Sequence, residues 1–89
     1  MLDKEDIILS RVSNAMRQVF RVPSSVAISR TTSSVDVDGW DSLSHSLFIL
    51  GVEDEFGIDL PLDKTFEMSN IGDLVDLIAA RQAELPDEK

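Results

Sequence analysis

Residues 41–61 read DSLSHSLFILGVEDEFGIDLP. Either Asp41 or Ser42 is a natural helix N-cap, because a short side-chain oxygen there accepts from an amide that the helix leaves unpaired. From that point Leu43, Leu47, Leu50 and Asp54 trace one helical row. Phe48, Val52 and Phe56 trace the adjacent row, and Ile49 joins it through its i+3 spacing to Val52. So broad an apolar arc predicts the central helix of a bundle. Glu53, Asp54 and Glu55 end it with acids where the dipole disfavours them, at up to about 1 kcal/mol per charge. That placement points to a use beyond helix stability. Gly57 suits the left-handed residue that ends a helix, and Pro61 biases Leu60 toward an extended backbone.

Upstream, Ile8, Val12, Ala15, Met16 and Val19 form an apolar stripe at helical spacing. Asp3 is the expected N-cap, Glu5 and Asp6 suit the first turn, and Arg17 and Arg21 suit the other end. Pro23 stops this helix, which is expected over residues 3–20. Residues 21–41 are rich in Ser and Thr and show no stripe. Val26, Ile28, Val35 and Val37 are candidate anchors to the core, with a short strand at 35–37 as an option. So long a connection in a compact domain is functional or conceals an element.

Downstream, residues 62–67 allow one short helical turn. Ser69 is the expected cap of a last helix whose stripe runs Ile71, Leu74, Val75, Ile78 and ends near Arg81. The fold class expected is all-α: a small four-helix bundle of three main helices and one short one, with a long first loop. Residues 1–89 are expected to form a single domain with an ordered core over about 3–81 and a frayed polar tail over 82–89.

With 89 residues the chain can build one modest core. Its 17 acids against 8 bases give a net charge of −9. That excess argues against nucleic acid and against an anionic membrane surface, both of which need clustered Lys and Arg, and it favours a basic protein partner. The charge is concentrated: residues 31–80 hold eleven acids and one base, Lys64. There is no cysteine, which excludes a disulfide framework, a Cys-ligated zinc and a thiol nucleophile. No apolar run approaches a membrane span, and the N-terminus lacks a signal-peptide core, so the expected compartment is the cytoplasm. Asp36, Asp38 and Gly39 lack calcium-loop spacing, so no metal is expected.

The segment that carries chemistry is Asp38-Gly39-Trp40-Asp41-Ser42-Leu43, where the long loop enters the central helix. A phosphate on Ser42 would meet unpaired amides and the positive end of the helix dipole. The structural alternative is that Ser42 or Asp41 merely caps the helix. His45 lies three residues from Ser42, but no third group or nucleophile elbow supports catalysis. It reads as a surface or partner-contacting residue. Trp40 reads as a packing anchor for the loop or as a contact for a partner. Phe48, Phe56 and Phe66 read as core. Glu53, Asp54 and Glu55 read either as a solvated face or as a docking surface.

At residues 41–61 the sequence resembles the acyl carrier proteins. Asp41, Ser42, Leu43, Glu53, Glu55, Phe56, Leu60 and Pro61 match the family's pattern, and the helix order extends the resemblance over the whole chain. The resemblance implies a stand-alone, monomeric carrier without enzymatic activity. Ser42 would be the attachment point for 4′-phosphopantetheine, transferred from coenzyme A by a phosphopantetheinyl transferase, and the arm's thiol would bear an acyl group as a thioester. Asp41 would orient the serine and meet the transferase, and Leu43 would pack beneath the arm. Trp40, His45, Leu47, Glu53, Asp54 and Glu55 would form the docking face. Partners would be an acyl- or aminoacyl-loading ligase or transferase and downstream biosynthetic enzymes. In many members an acyl chain enters the gap between the helices, and Phe66 or Met68 would lie along its path. The resemblance is imperfect: fatty-acid-synthesis members usually carry an acid at the position of Ser44 and Glu at that of Leu47. A specialised pathway fits better than housekeeping synthesis. An aminoacyl carrier, or a non-carrier interaction module of the same fold, are the alternatives.

Overall fold

The computed structural model describes residues 3–84. Four α-helices follow in order: α1 (Lys4–Phe20), α2 (Ser42–Phe56), α3 (Leu62–Thr65) and α4 (Ile71–Glu84). A 3-10 turn, Ser34–Asp36, interrupts the first loop, and there is no strand among the described residues. The option of a strand at residues 35–37 therefore falls. Val35 is 90% exposed and Val26 is also exposed, while Ile28 and Val37 pack on the core, so only half of the expected anchors hold the loop down.

Asp3 caps α1, its carboxylate accepting from the amide of Asp6 at 2.9 Å. α1 ends on Arg21 in the left-handed region at φ 56°. α2 ends on Gly57 at φ 65°, a left-handed conformation that glycine adopts without the strain an L side chain would carry.

α1 packs against both α2 and α4, and α3 packs on α2. The core is Ile8, Val12, Ala15 and Met16 from α1, Phe48, Ile49 and Val52 from α2, and Ile71, Leu74, Val75 and Ile78 from α4. Ile58 and Leu60 close it from the extended link after α2. Full burial of each such side chain contributes roughly 1.5–3 kcal/mol. Between them they account for every apolar face of α1 and α4 that the sequence pattern marked, but for only one of the two rows on α2.

Two corrections concern α4. Ser69 is not its cap: Asn70 Oδ1 accepts from the amide of Asp73 at 3.0 Å, and Ser69 instead donates its own amide to the Asp73 carboxylate at 2.7 Å. The helix also continues past Arg81 through Gln82, Ala83 and Glu84, so the frayed tail does not begin at 82. Residues 85–89 lie outside the described residues.

The long first loop is tied to the bundle at α4. The carbonyl of Thr32 accepts from Ile71 N at 2.8 Å, and that of Arg30 accepts from Gly72 N at 2.7 Å. These are amides that a helix start leaves orphaned. The approach is so close that a Cβ on Gly72 would lie 3.0 Å from the Arg30 carbonyl oxygen, which is why glycine stands there. The Arg30 guanidinium then reaches Asp76 of α4 at 3.0 Å and Glu5 of α1 at 3.5 Å. A 21-residue span thus becomes two shorter ones, and the second delivers Trp40 and Asp41 to the start of α2.

Candidate functional site

The entry to α2 is built by a capping box. The Asp41 carboxylate accepts from the amide of Ser44 at 3.0 Å, and the Ser44 hydroxyl oxygen accepts from the amide of Asp41 at 2.8 Å. Ser44 Oγ–H in turn faces the Gly39 carbonyl at 2.6 Å and Asp41 Oδ1 at 3.0 Å. The bonds from the Ser44 amide and hydroxyl hold the Asp41 carboxyl below the usual carboxylate range. Asp41 therefore takes the cap, and Ser44, which sequence reasoning noted only as a departure from the family's acid, completes it.

Ser42 is freed by this arrangement. It is the first residue of α2, it is exposed, and its hydroxyl joins none of the side-chain hydrogen bonds among the described residues. It borders an open cleft of about 250 Å³ whose walls include Ser34, Trp40, His45, Thr65, Phe66 and Met68. It stands at the positive end of the dipole of a 15-residue helix, a place that favours an anion.

His45 is not on the surface. It is 5% exposed and makes two hydrogen bonds. The Trp40 indole N–H donates to His45 Nδ1 at 3.0 Å. An indole nitrogen can only donate, so Nδ1 bears no proton and the ring carries its hydrogen on Nε2. Nε2 then donates to Thr65 Oγ1 at 2.9 Å, and Thr65 Oγ1 donates to the Leu62 carbonyl at 2.6 Å. Burial pushes the imidazole below its ordinary value, which agrees with a neutral ring. The sequence did carry a signal: His45, Phe48, Ile49 and Val52 fall at i, i+3, i+4 and i+7, the buried stripe of α2.

Trp40 is half-buried as a packing anchor, with ring centroids 5.3 Å from Phe20 and 5.7 Å from Phe48. Of the phenylalanines expected in the core, Phe48 is fully buried and Phe56 half-buried, while Phe66 is 49% exposed on the wall of the cleft.

The second row of α2 faces solvent. Leu43 is 72% exposed, Leu47 51% and Leu50 58%. The acids at the helix end differ among themselves. Glu53 turns inward and accepts from the amide of Leu60 at 2.7 Å. Glu55 pairs with Arg11 at 2.9 Å, and the same guanidinium lies 4.4 Å over the Phe56 ring. Asp54 is exposed and joins no side-chain hydrogen bond or ion pair among the described residues. No cluster of metal-ligating side chains occurs among the described residues.

Among the described residues, the start of α2 thus presents an uncommitted serine beside a shallow cleft, open to covalent attachment of a group. The family model described as the phosphopantetheine attachment site matches residues 10–78. An acyl carrier protein of Lactobacillus acidophilus is 31% identical over 78 residues, covering 88% of this chain and 96% of the relative. One of Acidothermus cellulolyticus is 32% identical over 78 residues, covering 88% and 90%. The solution structure of holo acyl carrier protein from Geobacter metallireducens superposes with a TM-score of 0.71 at 30% identity, covering 99% of this chain and all of that one. The chain belongs to the phosphopantetheine-binding acyl carrier proteins. It is a carrier rather than an enzyme, and its prosthetic group is 4′-phosphopantetheine.

Proposed function

We propose that Ser42 Oγ bears the 4′-phosphopantetheine arm and that the chain, acting as one domain, carries an acyl or related intermediate between the enzymes of a specialised biosynthetic pathway. The observation that carries this reading is the division of labour at the start of α2: Asp41 and Ser44 satisfy the cap, leaving the exposed Ser42 hydroxyl uncommitted. When bound, the arm supplies the thiol that the cysteine-free chain lacks. Around it the chain's own groups have separate tasks. The first turn of α2 offers the phosphate its dipole, Asp41 stays anionic beside the site for the transferase, and Leu43 covers the foot of the arm. Tethering raises the local concentration of the carried group for each enzyme in turn.

Docking belongs to the exposed row Leu43, Leu47 and Leu50, with Asp54 at its end as the free acid. The departures at Ser44 and Leu47 support a specialised role, since Ser44 is spent on the cap and Leu47 presents an apolar contact. The partners on this reading are a phosphopantetheinyl transferase, a loading ligase or transferase and the enzymes downstream, all in the cytoplasm where coenzyme A is at hand. Electrostatic steering makes such encounters fast and salt-sensitive.

Incubation with coenzyme A and a promiscuous phosphopantetheinyl transferase tests the reading. The intact mass should rise by one phosphopantetheinyl group in the parent chain and stay unchanged in Ser42→Ala, with helix content equal in both. An unmodified parent mass, under conditions that load a control carrier, overturns the proposal in favour of an interaction module.

A further inference from the structure

A histidine on a buried helical stripe must satisfy two ring nitrogens away from water. His45 does so by joining three segments: Trp40 from the loop, α2 itself, and Thr65 of α3. Its ring lies nearly coplanar with the indole, edge to edge across that hydrogen bond (centroids 6.1 Å apart, 15° between planes), and packs 4.5 Å from Phe66. Thr65 is fully buried, and its hydroxyl is tied back to the first carbonyl of α3. Every donor and acceptor along Trp40–His45–Thr65–Leu62 is used, and no buried side-chain polar atom among the described residues lacks a partner.

Behind this latch the core is shielded from solvent. Phe48, Ile49, Val52, Leu74 and Val75 are each no more than 2% exposed. The hollow bordering Ser42 is an open cleft whose lining includes Ser34, Thr65 and Ser69. A larger hollow of about 480 Å³, between Phe20 and Val37, shares no lining residue with it. For a long aliphatic chain to pass between α2 and α3, the latch must open and strand its buried ring nitrogens and the indole N–H without partners.

We propose that His45 is a specificity-determining residue: by bolting α3 to α2 it keeps the group carried at Ser42 outside the bundle, so the protein serves short or polar cargo rather than long aliphatic chains. This rests on the carrier reading above. A short or polar group loses little by staying in water, whereas a long chain left outside gains nothing from the protein and exposes apolar surface with every added methylene.

The test loads the full chain with acetyl-, butyryl- and octanoyl-phosphopantetheine, using the matching acyl-coenzyme A and a promiscuous transferase. Intact mass confirms loading, and the thermal midpoint and the methyl NMR shifts of Ile49, Val52 and Val75 are then followed. The midpoint should be the same for all three cargoes within about 1 °C, with the core methyls unmoved. In His45→Leu the octanoyl form should rise above the acetyl form by on the order of 5 °C, because burial of added methylenes now stabilises it. His45→Gln, whose amide can accept from Trp40 and donate to Thr65, should restore the flat response. A length-dependent midpoint or shifted core methyls in the parent chain overturns the inference while leaving the carrier reading intact. A flat response in folded His45→Leu removes the role of His45. Should that variant fail to fold, Thr65→Val, which breaks the same latch at its α3 end, takes its place, and a flat response there removes the role of His45. A mass that never rises overturns the carrier reading, and the inference with it.

Discussion

The two ends of α2 use their polar side chains in opposite ways. At the start, capping falls to Asp41 and Ser44, and the serine between them is left with a free hydroxyl at the surface. At the end, two of three consecutive acids are drawn into the fold: Glu53 holds the Leu60 amide and Glu55 holds Arg11. One terminus is preorganised to leave a group available, while the other spends groups that look available in the sequence. A run of like charges is therefore no measure of a docking surface, because each carboxylate first answers whatever amide or guanidinium the chain brings within reach.

Substitutions can break this contrast. The largest effect is expected at Glu53, since its removal leaves a partly buried amide unpaired: Glu53→Ala should cost about 1–3 kcal/mol in urea unfolding. A loss under 0.5 kcal/mol would return Glu53 to the solvated face. At the other end, Asp41→Ala should lower the thermal midpoint by a few degrees, while Ser42→Ala leaves it nearly unchanged. Equal losses would mean that the cap and the free hydroxyl are not separate. The acid limb sharpens the contrast from the middle of the helix. Burial lowers the folded-state value of His45, so the unfolded chain takes up its proton first. Its contribution is complete above the ordinary histidine value near 6.5 and falls away as the pH drops through the folded value, with a slope of at most about 1.4 kcal/mol per pH unit. His45→Gln should remove that part of the pH dependence. The smallest effect is expected at Glu55, whose pair with Arg11 is about 40% exposed on both sides: Glu55→Gln should cost no more than about 1 kcal/mol, less in high salt.

Much of this was legible in the sequence. The stripes of α1 and α4 are single, so only one face of each can be buried, and the fold followed. The position of Ser42 followed from its motif. On α2 the pattern is ambiguous, since two apolar rows of similar strength run side by side and only the neighbours α1 and α3 decide which is covered. The row Leu43, Leu47, Leu50 loses that contest. His45 reads as a surface residue in the sequence because its partners come from Trp40 on the loop and from Thr65, twenty residues away, neither of which local spacing reveals. Asn70, not the expected Ser69, caps α4, because it stands directly before Ile71, where the helix begins.

That meeting makes the first loop and α4 a thermodynamic unit. The carbonyls of Arg30 and Thr32 close the amides of Gly72 and Ile71, so lifting the loop uncaps the helix, and fraying the helix frees the loop. A protein that grips the loop in its present shape will slow hydrogen exchange at Ile71 and Gly72 without touching them. Those two amides are therefore a built-in reporter of whether the approach to Ser42 is held or released.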